Sequence, residues 1–304
     1  MDYSPVIQSA LDDIDKRITE SIRAVELAYA ANYSVYHFCR VFSELTGTPV
    51  SAYIARRKLE YALYELSKGR KIIEVAAEYG FETHAGFTKA FKKCFGCPPS
   101  LYRLHMPAKL PEKATVADLK SKYGGIKMQV EIKEIKPFVV VGYASRHEMP
   151  GLKGIADITP AFWDKIAWEC NAPLTTLHDT YVNSHHYEVC MCLDIDDKHD
   201  FFTYLISVGV DEADCDVPQR PGTYRHQIQG GLYAVFTTPW VNEDEFSTSI
   251  KETWNQILNH WLPKSQYEYD DRRVDYEYYD ERDHSDTNAG KQQMDICIPI
   301  RIIK

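Results

Sequence analysis

The sequence predicts a multidomain protein, in which an all-α N-terminal domain with two helix-turn-helix motifs precedes an α+β domain of two pseudo-symmetric βαββ units. Up to about residue 106 the apolar residues recur at helical spacing, and from residue 128 they alternate with polar ones. The 304 residues are enough for two hydrophobic cores. We therefore predict a helical domain over 1–106, a linker over 107–127 and an α+β domain over 128–304.

The first helix-turn-helix motif is predicted within residues 27–57. A short helix opens it, and Ser34 is placed to cap the second helix, because a serine oxygen accepts a hydrogen bond from a free backbone N–H at a helix start. The core stripe of this second helix repeats at i, i+3, i+4 and i+7, and Gly47 can end the helix in the left-handed conformation. An amphipathic helix over 3–18 precedes the motif, and a connecting helix over 52–67 follows it.

The same pattern recurs within residues 72–103. A short helix ends at Gly80, and Thr83 is placed to cap the helix that follows. The core stripe of that helix consists of Phe87, Phe91 and Phe95. A single hairpin of this kind is common and can carry nothing more than a solvated face. Two copies, the second with a basic outer face, favour a nucleic-acid reader.

The spacing of both motifs resembles the DNA-binding domain of the AraC/XylS family of transcription regulators. The residues that carry this resemblance, over about the first third of the chain, are Leu27, Ala28, Ser34, Arg40, Phe42, Gly47, Tyr53, Ile54, Arg57, Ala62, Leu66, Ile72, Ala76, Gly80, Phe81, Phe87, Phe91, Lys92, Gly96, Pro99, Tyr102 and Arg103. The resemblance implies that the second helix of each motif enters the major groove, with the two about one turn of DNA apart.

The resemblance also implies which side chains read the DNA. The predicted DNA-binding residues at or beside the groove-facing positions are Tyr36, His37, Cys39, Arg40, His84, Ala85, Gly86 and Lys89. Arg40 can make the bidentate contact to guanine that specifies a base pair. The basic residues better suited to phosphate contacts or structural ion pairs are Lys89, Lys92, Arg57 and Arg103. Because Ala85 and Gly86 are short, we expect the second helix to contribute mainly backbone positioning and thymine-methyl contact.

The second half of the chain alternates in the way that is typical of half-buried strands. The predicted elements are strands over 130–135 and 138–144, a helix over 159–170, strands over 187–195 and 201–210, a strand-like stretch over 223–237 bent at a double glycine, a helix over 245–261, and strands over 276–281 and 294–302. The order of elements therefore occurs twice, without obvious sequence identity between the halves. The acidic run over 267–273 is expected to be a solvated loop.

Most of residues 128–304 resemble the GyrI-like effector-binding domain. The matching stretches are 201–210, 231–236, 261–263 with Ser265, 276–280 and 294–300. The resemblance implies two sheet-and-helix halves with a ligand cleft between them. It places Glu277 where multidrug-sensing relatives receive cationic amphipathic compounds. The predicted effector-binding residues are Glu277, Tyr279, Trp163, Tyr204 and Phe236.

The chemistry of such a cleft supports the same hypothesis. A buried carboxylate without a partner is costly, a ligand cation can neutralise it, and aromatic faces add cation–π attraction. Strand alternation places Glu277 and Tyr279 on one face. Against this, any one aromatic residue of the domain is more often part of a core than of a cleft wall.

The charge of the chain is divided between its halves. The net charge of −9 argues at first against nucleic-acid binding. Residues 1–110, however, hold 15 Lys+Arg against 12 Asp+Glu, which gives +3 and leaves −12 for residues 111–304. A mildly basic front and an acidic back suit a DNA reader joined to a domain that does not touch DNA.

Two classes of function remain open: a ligand-responsive transcription regulator, and a GyrI-like hydrolase or sequestering binder joined to a DNA-binding domain. We predict no catalytic residue, because neither a Ser/His/Asp order nor a metal spacing is visible. Cys94 and Cys97 form a CxxC without a second ligand pair, so we expect reduced structural thiols, no metal and no cofactor.

The same features predict the partners and the compartment. The expected partners are double-stranded DNA and a small-molecule effector, with RNA polymerase as a further candidate and the protein a monomer or weak dimer. The acidic amphipathic start and the lack of an apolar run near 20 residues predict no secretory signal, no membrane partner and a cytoplasmic location.

Overall fold

The structure is a computed structural model of the chain. It describes residues 2–107, 109–121, 130–151, 154–155, 158–168, 173–181, 187–195, 201–210, 219–283 and 288–303. Contacts divide the chain into two compact units, the first comprising Met1–Cys94 with Pro107–Lys127 and the second Phe95–Met106 with Met128–Lys304. The end of the predicted linker, 122–127, lies outside the described residues. The division into a domain over 1–106, a linker over 107–127 and a domain over 128–304 therefore stays a prediction.

The first unit is helical. Its helices, together with α7, which belongs to the second unit, are α1 Ser4–Lys16, α2 Ala24–Ala30, α3 Val35–Thr46, α4 Val50–Ser67, α5 Ile72–Glu78, α6 His84–Phe95, α7 Pro99–His105 and α8 Val116–Ser121. Both predicted caps are present: the His37 N–H donates to Ser34 Oγ (3.3 Å), and the Gly86 N–H donates to Thr83 Oγ1 (3.0 Å). Gly47, with φ 68°, ends α3 in the left-handed conformation, which costs a glycine little.

The connecting helix α4 carries a buried ion pair that ties it to α1. Arg57 Nε and Nη2 donate to the two carboxylate oxygens of Asp15 at 2.7 and 2.8 Å, and Arg57 Nη1 donates to Glu60 at 3.0 Å. The Arg57 side chain is 7% exposed. Of the two roles open to Arg57 from the sequence, phosphate contact or structural ion pair, this geometry fits the structural one.

The second unit combines one antiparallel sheet with helices. Its strands are β1 Val130–Ile135, β2 Phe138–Glu148, β3 Glu188–Leu193, β4 Phe201–Val210, β5 Tyr224–Ile228, β6 Gly231–Thr237, β7 Val241–Asn242, β8 Tyr267–Tyr269, β9 Tyr276–Tyr279, β10 Lys291–Gln292 and β11 Asp295–Ile302. Its further helices are α9 Pro160–Trp163, which continues as a π-helix over Asp164–Trp168, α10 Pro173–Tyr181, and α11 Glu243–Gln256, which continues as a π-helix over Ile257–Trp261. These elements confirm the predicted α+β class.

The strand order confirms the pseudo-symmetry of the two halves. The sheet runs β1-β6-β11-β9-β3-β4-β2-β5, so β3 of the first half pairs with β9 of the second at its centre. The edge strands are exchanged, since β1 pairs with β6 and β5 pairs with β2. The stretch 223–237, predicted as one bent strand, is thus two strands that pair with different neighbours.

One face of this sheet forms the hydrophobic core of the unit. The core contains alternate residues of neighbouring strands, among them Val189, Met191, Leu205, Tyr233 and Tyr276. Because side chains alternate along a strand, the residues between them point to the opposite face. That opposite face is the one on which the cavity described below lies.

Two local predictions are corrected by the structure. The run over 267–273 is not a solvated loop: Tyr269 is buried in β8, and the Asp270 carboxylate, 2% exposed, is paired with Arg272 and Arg273. The predicted helix over 159–170 is α-helical only over Pro160–Trp163 before its π-helical turn, and its last two residues lie outside the described part. Helix α10 was not predicted, because its short apolar pattern is weak.

The described residues contain no helix that is long and apolar enough to cross a bilayer. Within the same ranges, no three His, Cys, Asp or Glu residues are grouped closely enough to hold a metal ion. Cys94 and Cys97 are free thiols, and burial raises the pKa of the Cys94 thiol to about 11. Cys190 and Cys192 of β3 are also buried.

The Arg57 ion pair gives a direct test of its structural role. We expect Arg57→Met to lower the free energy of unfolding by about 3–5 kcal/mol, because it leaves the Asp15 carboxylate buried without its partner. Its neighbour Arg56, which pairs with Glu60 and is 38% exposed, is the matched control. Arg56→Met should cost less than about 1 kcal/mol. Urea unfolding of the three proteins measures both values, and equal losses would contradict the assignment.

Candidate functional site

Helix α3 presents a solvent-exposed face opposite its buried stripe. Phe38, Val41 and Phe42 are buried, whereas Tyr36 is 82% exposed. Arg40 is also exposed, with its guanidinium 3.9 Å from Glu44 one turn later. A surface ion pair at this distance is weak, so Glu44 leaves the Arg40 side chain able to extend toward a ligand.

The two remaining predicted residues of α3 are less exposed. The His37 ring packs between Tyr3 and Tyr33, with centroid distances of 5.4 and 5.2 Å, and Cys39 is half-buried. His37 thus forms part of an aromatic cluster at the start of the helix. This packing orients the first turn of α3, where Tyr36 lies.

Helix α6 repeats this arrangement. Phe87 and Phe91 are fully buried, and Ala85, Gly86 and Lys89 are exposed on the other side. His84 and Lys92 are half-buried. The two helices therefore present an aromatic, basic face on α3 and a short-chained, basic face on α6. An exposed helix face with arginine or lysine is what major-groove contact requires.

The second unit contains a cavity of about 870 Å³ on the face of the sheet opposite the core. Its floor consists of alternate residues of the central strands: Glu188, Cys190, Cys192, Tyr204, Glu277 and Tyr279. Its walls come from α9, α10 and α11, together with His105 at the end of α7. A volume of this size lies within the range of small-molecule sites in proteins, which is roughly 300–1,000 Å³.

The carboxylate of Glu277 is fixed by two aromatic donors. Trp254 Nε1 donates to Glu277 Oε1 at 3.0 Å, and the Tyr279 hydroxyl donates to Oε2 at 2.8 Å. Hydrogen bonds to a carboxylate stabilise its charged form. The result is a half-buried carboxyl group held in place by two aromatic side chains.

Four of the five predicted effector residues meet in this cavity. Besides Glu277 and Tyr279, Trp163 Nε1 donates to the Tyr204 hydroxyl at 3.1 Å, and the Trp163 ring lies edge-on to Tyr279 at 5.5 Å. Phe236 is not among the described lining residues. It is fully buried on β6, with the Trp261 ring edge-on at 4.9 Å, so it belongs to the packing between sheet and helix.

The cavity is electrostatically negative. The described lining residues include six carboxylates and two imidazoles but no lysine or arginine. Burial, and after it the charge of Glu277, raises the pKa of the Cys190 thiol and of the Tyr279 phenol well above their usual values. Both groups are therefore neutral at physiological pH and contribute hydrogen bonds rather than charge. This environment favours a cation.

A second carboxylate of the floor was missed from the sequence. Glu188 is 7% exposed, and its Oε1 lies 2.8 Å from Nε2 of His178 on α10. The signal that could have found it is a repeated dipeptide: Tyr187-Glu188 stands at the start of β3, whose first residue is Glu188, and Tyr276-Glu277 begins β9. Both carboxylates therefore occupy corresponding places in the two halves.

One wall of the cavity comes from α7. The His105 ring, at the end of α7, stacks on Trp254 with centroids 3.5 Å apart and planes 12° apart. His105 Nε2 lies 3.4 Å from Asp275 Oδ2, and Asp275 Oδ1 accepts from the Tyr269 hydroxyl at 2.7 Å. The residue that fixes Glu277, Trp254, is thus itself packed against α7.

Comparison with protein families gives two matches. The model of a helix-turn-helix domain matches residues 27–105, and the model of the integron-associated effector-binding protein matches residues 131–300. The first match contains α3 and α6, and the second contains the strands that form the floor of the cavity and the wall helices α9, α10 and α11.

Individual relatives resemble the first part of the chain. It is 34% identical over 104 residues to the right origin-binding protein of Escherichia coli K12, over 34% of this chain and 36% of that protein. It is also 34% identical over 102 residues to the transcriptional activator AarP of Providencia stuartii, over 33% of this chain and 76% of that protein. The match therefore spans only about a third of the length of the right origin-binding protein.

Among solved structures, an integron cassette protein from the mobile metagenome of Vibrio cholerae is similar to part of this chain. The TM-score is 0.35 and the sequence identity 17%, over 57% of this chain and 95% of that one.

Proposed function

Since the chain belongs to the integron-associated effector-binding protein family and carries an AraC-type helix-turn-helix domain before that module, we propose that it is a DNA-binding transcription regulator that senses a cationic amphipathic effector. The two family resemblances inferred from the sequence are confirmed by these matches. The single observation that carries the effector half of the proposal is the Glu277 carboxylate, held by Trp254 and Tyr279 within an acidic, aromatic cavity.

In this proposal DNA is read by the exposed faces of α3 and α6. Arg40 contacts a guanine edge, because its guanidinium is exposed and can form the bidentate pair. Lys89 and Lys92 contact phosphates, and Ala85 and Gly86 allow the backbone of α6 to approach the groove closely. Several phosphate contacts make the affinity fall steeply with salt.

The effector binds with its cationic group against Glu277 and its apolar body against the aromatic walls. A cation close to a half-buried carboxylate replaces the hydration that the carboxylate loses on burial, and the face of Trp163 adds cation–π attraction. Two donors already occupy the Glu277 oxygens, which favours a fixed recognition charge over a mobile proton acceptor. We therefore favour a sensor over a hydrolase.

Effector binding reaches the DNA reader through α7. Trp254 contacts both Glu277 and His105, and α7 follows the second predicted recognition helix directly along the chain. A ligand that moves Trp254 changes the packing of α7. This gives effector binding and DNA binding a shared element, as linkage between two sites requires.

The protein acts in the cytoplasm, where its DNA is, as a monomer or weak dimer. RNA polymerase is the further partner that the role of a transcription regulator implies. The cytoplasmic location and the polymerase partner follow from the proposed function and depend on it.

The DNA-reading assignment predicts unequal effects of two substitutions in the full-length protein. On a duplex selected from a random pool, Arg40→Ala should remove about 1–3 kcal/mol of discrimination at one base pair. Lys92→Ala should weaken all sequences about equally and reduce the salt slope by about 1. Fluorescence anisotropy on the selected duplex and its single-base variants measures both. Equal, sequence-independent losses would contradict the roles, and no sequence-selective binding of the parent would refute the DNA reader.

The effector assignment predicts that Glu277→Gln weakens cations selectively. The glutamine keeps the shape and removes the charge, so a tetraarylphosphonium cation should lose about ten- to a hundredfold in affinity. A neutral tetraarylsilane of similar shape, kept soluble with cosolvent, is the matched ligand and should change little. Calorimetric titration of both ligands decides the point. Equal loss for both would mean that Glu277 only shapes the site, and recovery of chemically altered ligand would favour the hydrolase.

The coupling through α7 is tested at saturating ligand, so that changes in ligand affinity do not enter. His105→Ala should abolish most of the change in DNA affinity that saturating tetraarylphosphonium causes in the parent protein. Tyr102→Phe is the matched control, because it removes the hydrogen bond that the α7 hydroxyl donates to Asn259 (2.7 Å), and neither residue lines the described cavity. It should retain the coupling. Unchanged coupling in His105→Ala would place the route elsewhere.

A further inference from the structure

The two halves of the second unit are related by a pseudo-two-fold axis at the centre of the sheet. The strand order β1-β6-β11-β9-β3-β4-β2-β5 matches strands in pairs from the two ends, with the exchanged edge strands β1 and β5 as the outermost pair. Both α9 and α11 run on into a π-helical turn, which adds a helical feature to the correspondence. The axis lies between β3 and β9, which are the two central strands of the sheet and pair with each other.

The register places this axis at a defined residue pair. Val189 of β3 lies opposite Tyr278 of β9. A half-turn about the midpoint of that pair exchanges Glu188 with Glu277, because Glu188 directly precedes Val189 and Glu277 directly precedes Tyr278 in the sequence. The repeated dipeptides Tyr187-Glu188 and Tyr276-Glu277 agree with this alignment.

The two glutamates are also held in the same manner. Glu277 accepts from Trp254 on α11, the helix of the second half, at 3.0 Å. Glu188 lies 2.8 Å from His178 on α10, a helix of the first half. Each carboxyl group therefore has a ring nitrogen from its own half as a partner, and both carboxyl groups face the cavity. A carboxylate can accept more than one hydrogen bond, so neither contact excludes a ligand.

Two acidic groups in one cavity are costly to keep charged without compensation. Each loses hydration, and like charges raise the cost further. The described lining residues offer no lysine or arginine to offset them. The cavity of about 870 Å³ is large enough for a ligand that reaches both carboxylates.

We propose that the cavity is a two-centre site for ligands with two cationic groups, in which Glu188 binds the second cation as Glu277 binds the first. This rests on the proposed effector function and names its ligand class: bis-cationic amphipaths joined by an apolar spacer. The pair is diagonal across β3 and β9, because Glu277 lies opposite Cys190, two residues after Glu188. Such diagonal neighbours are about 7–8 Å apart.

The spacing makes the proposal measurable with simple probes. We would titrate the full-length protein with α,ω-bis(trimethylammonio)alkanes of increasing chain length, and with alkyltrimethylammonium ions of the same lengths as single-charge controls. The bis-cations should bind more tightly than their controls at one optimal length. A flat dependence on length, or no advantage of the second charge, would overturn the proposal.

Substitution of Glu188 separates the second centre from the first. Glu188→Gln should lower the affinity of the optimal bis-cation about ten- to a hundredfold and leave the single-charge control within about threefold. Glu277→Gln should lower both. The unchanged single-charge affinity shows that the cavity of Glu188→Gln is intact, and the glutamine can still accept from His178. Loss of both ligand types in Glu188→Gln would mean that this residue only shapes the cavity and would overturn the inference.

The two proposals fail in different ways. If single-charge ligands bind and depend on Glu277, but Glu188→Gln changes neither class, the effector function stands and the two-centre site falls. That outcome would mean that His178 neutralises Glu188. If neither ligand class binds, both the effector function and the two-centre site fall.

Discussion

The pairing of β3 with β9 is the interaction on which the second unit depends. It joins the two halves of the sheet, and its register places Cys190 opposite Glu277 and Glu188 opposite Tyr279. A shift by one residue would turn these side chains into the core and the core residues into the cavity. The apolar residues between them, such as Val189 and Met191, fix the register because they are buried on the other face.

This constraint explains why an acidic cavity can exist beside a well-packed core. Burial of apolar side chains on the core face stabilises the fold. The opposite face can therefore hold carboxylates whose burial is unfavourable for the free energy of folding. Trp254 and Tyr279 reduce that cost for Glu277 by donating to both of its oxygens.

Two kinds of basic residue look alike in the first part of the chain but differ in the structure. Arg57 is buried in a bidentate pair with Asp15, 42 residues away in the sequence, whereas Arg40 is exposed. Periodicity placed both on helices, but the partner of Arg57 lies on another helix. Spacing along one helix therefore could not separate a structural arginine from one that is available to DNA.

The sequence by itself determined most of the element types and both capped helices, because helix and strand periods and caps are local properties. Spaced motifs determined the two resemblances and, through them, four residues of the cavity. Only the tertiary structure decided that Phe236 packs on Trp261, that Asp270 is buried, and that Glu188 and His105 line the cavity. These facts depend on which strands become neighbours. The exchange of β1 and β5 between the halves is set by pairing between residues that are 82 to 106 positions apart in the sequence, which no local pattern encodes.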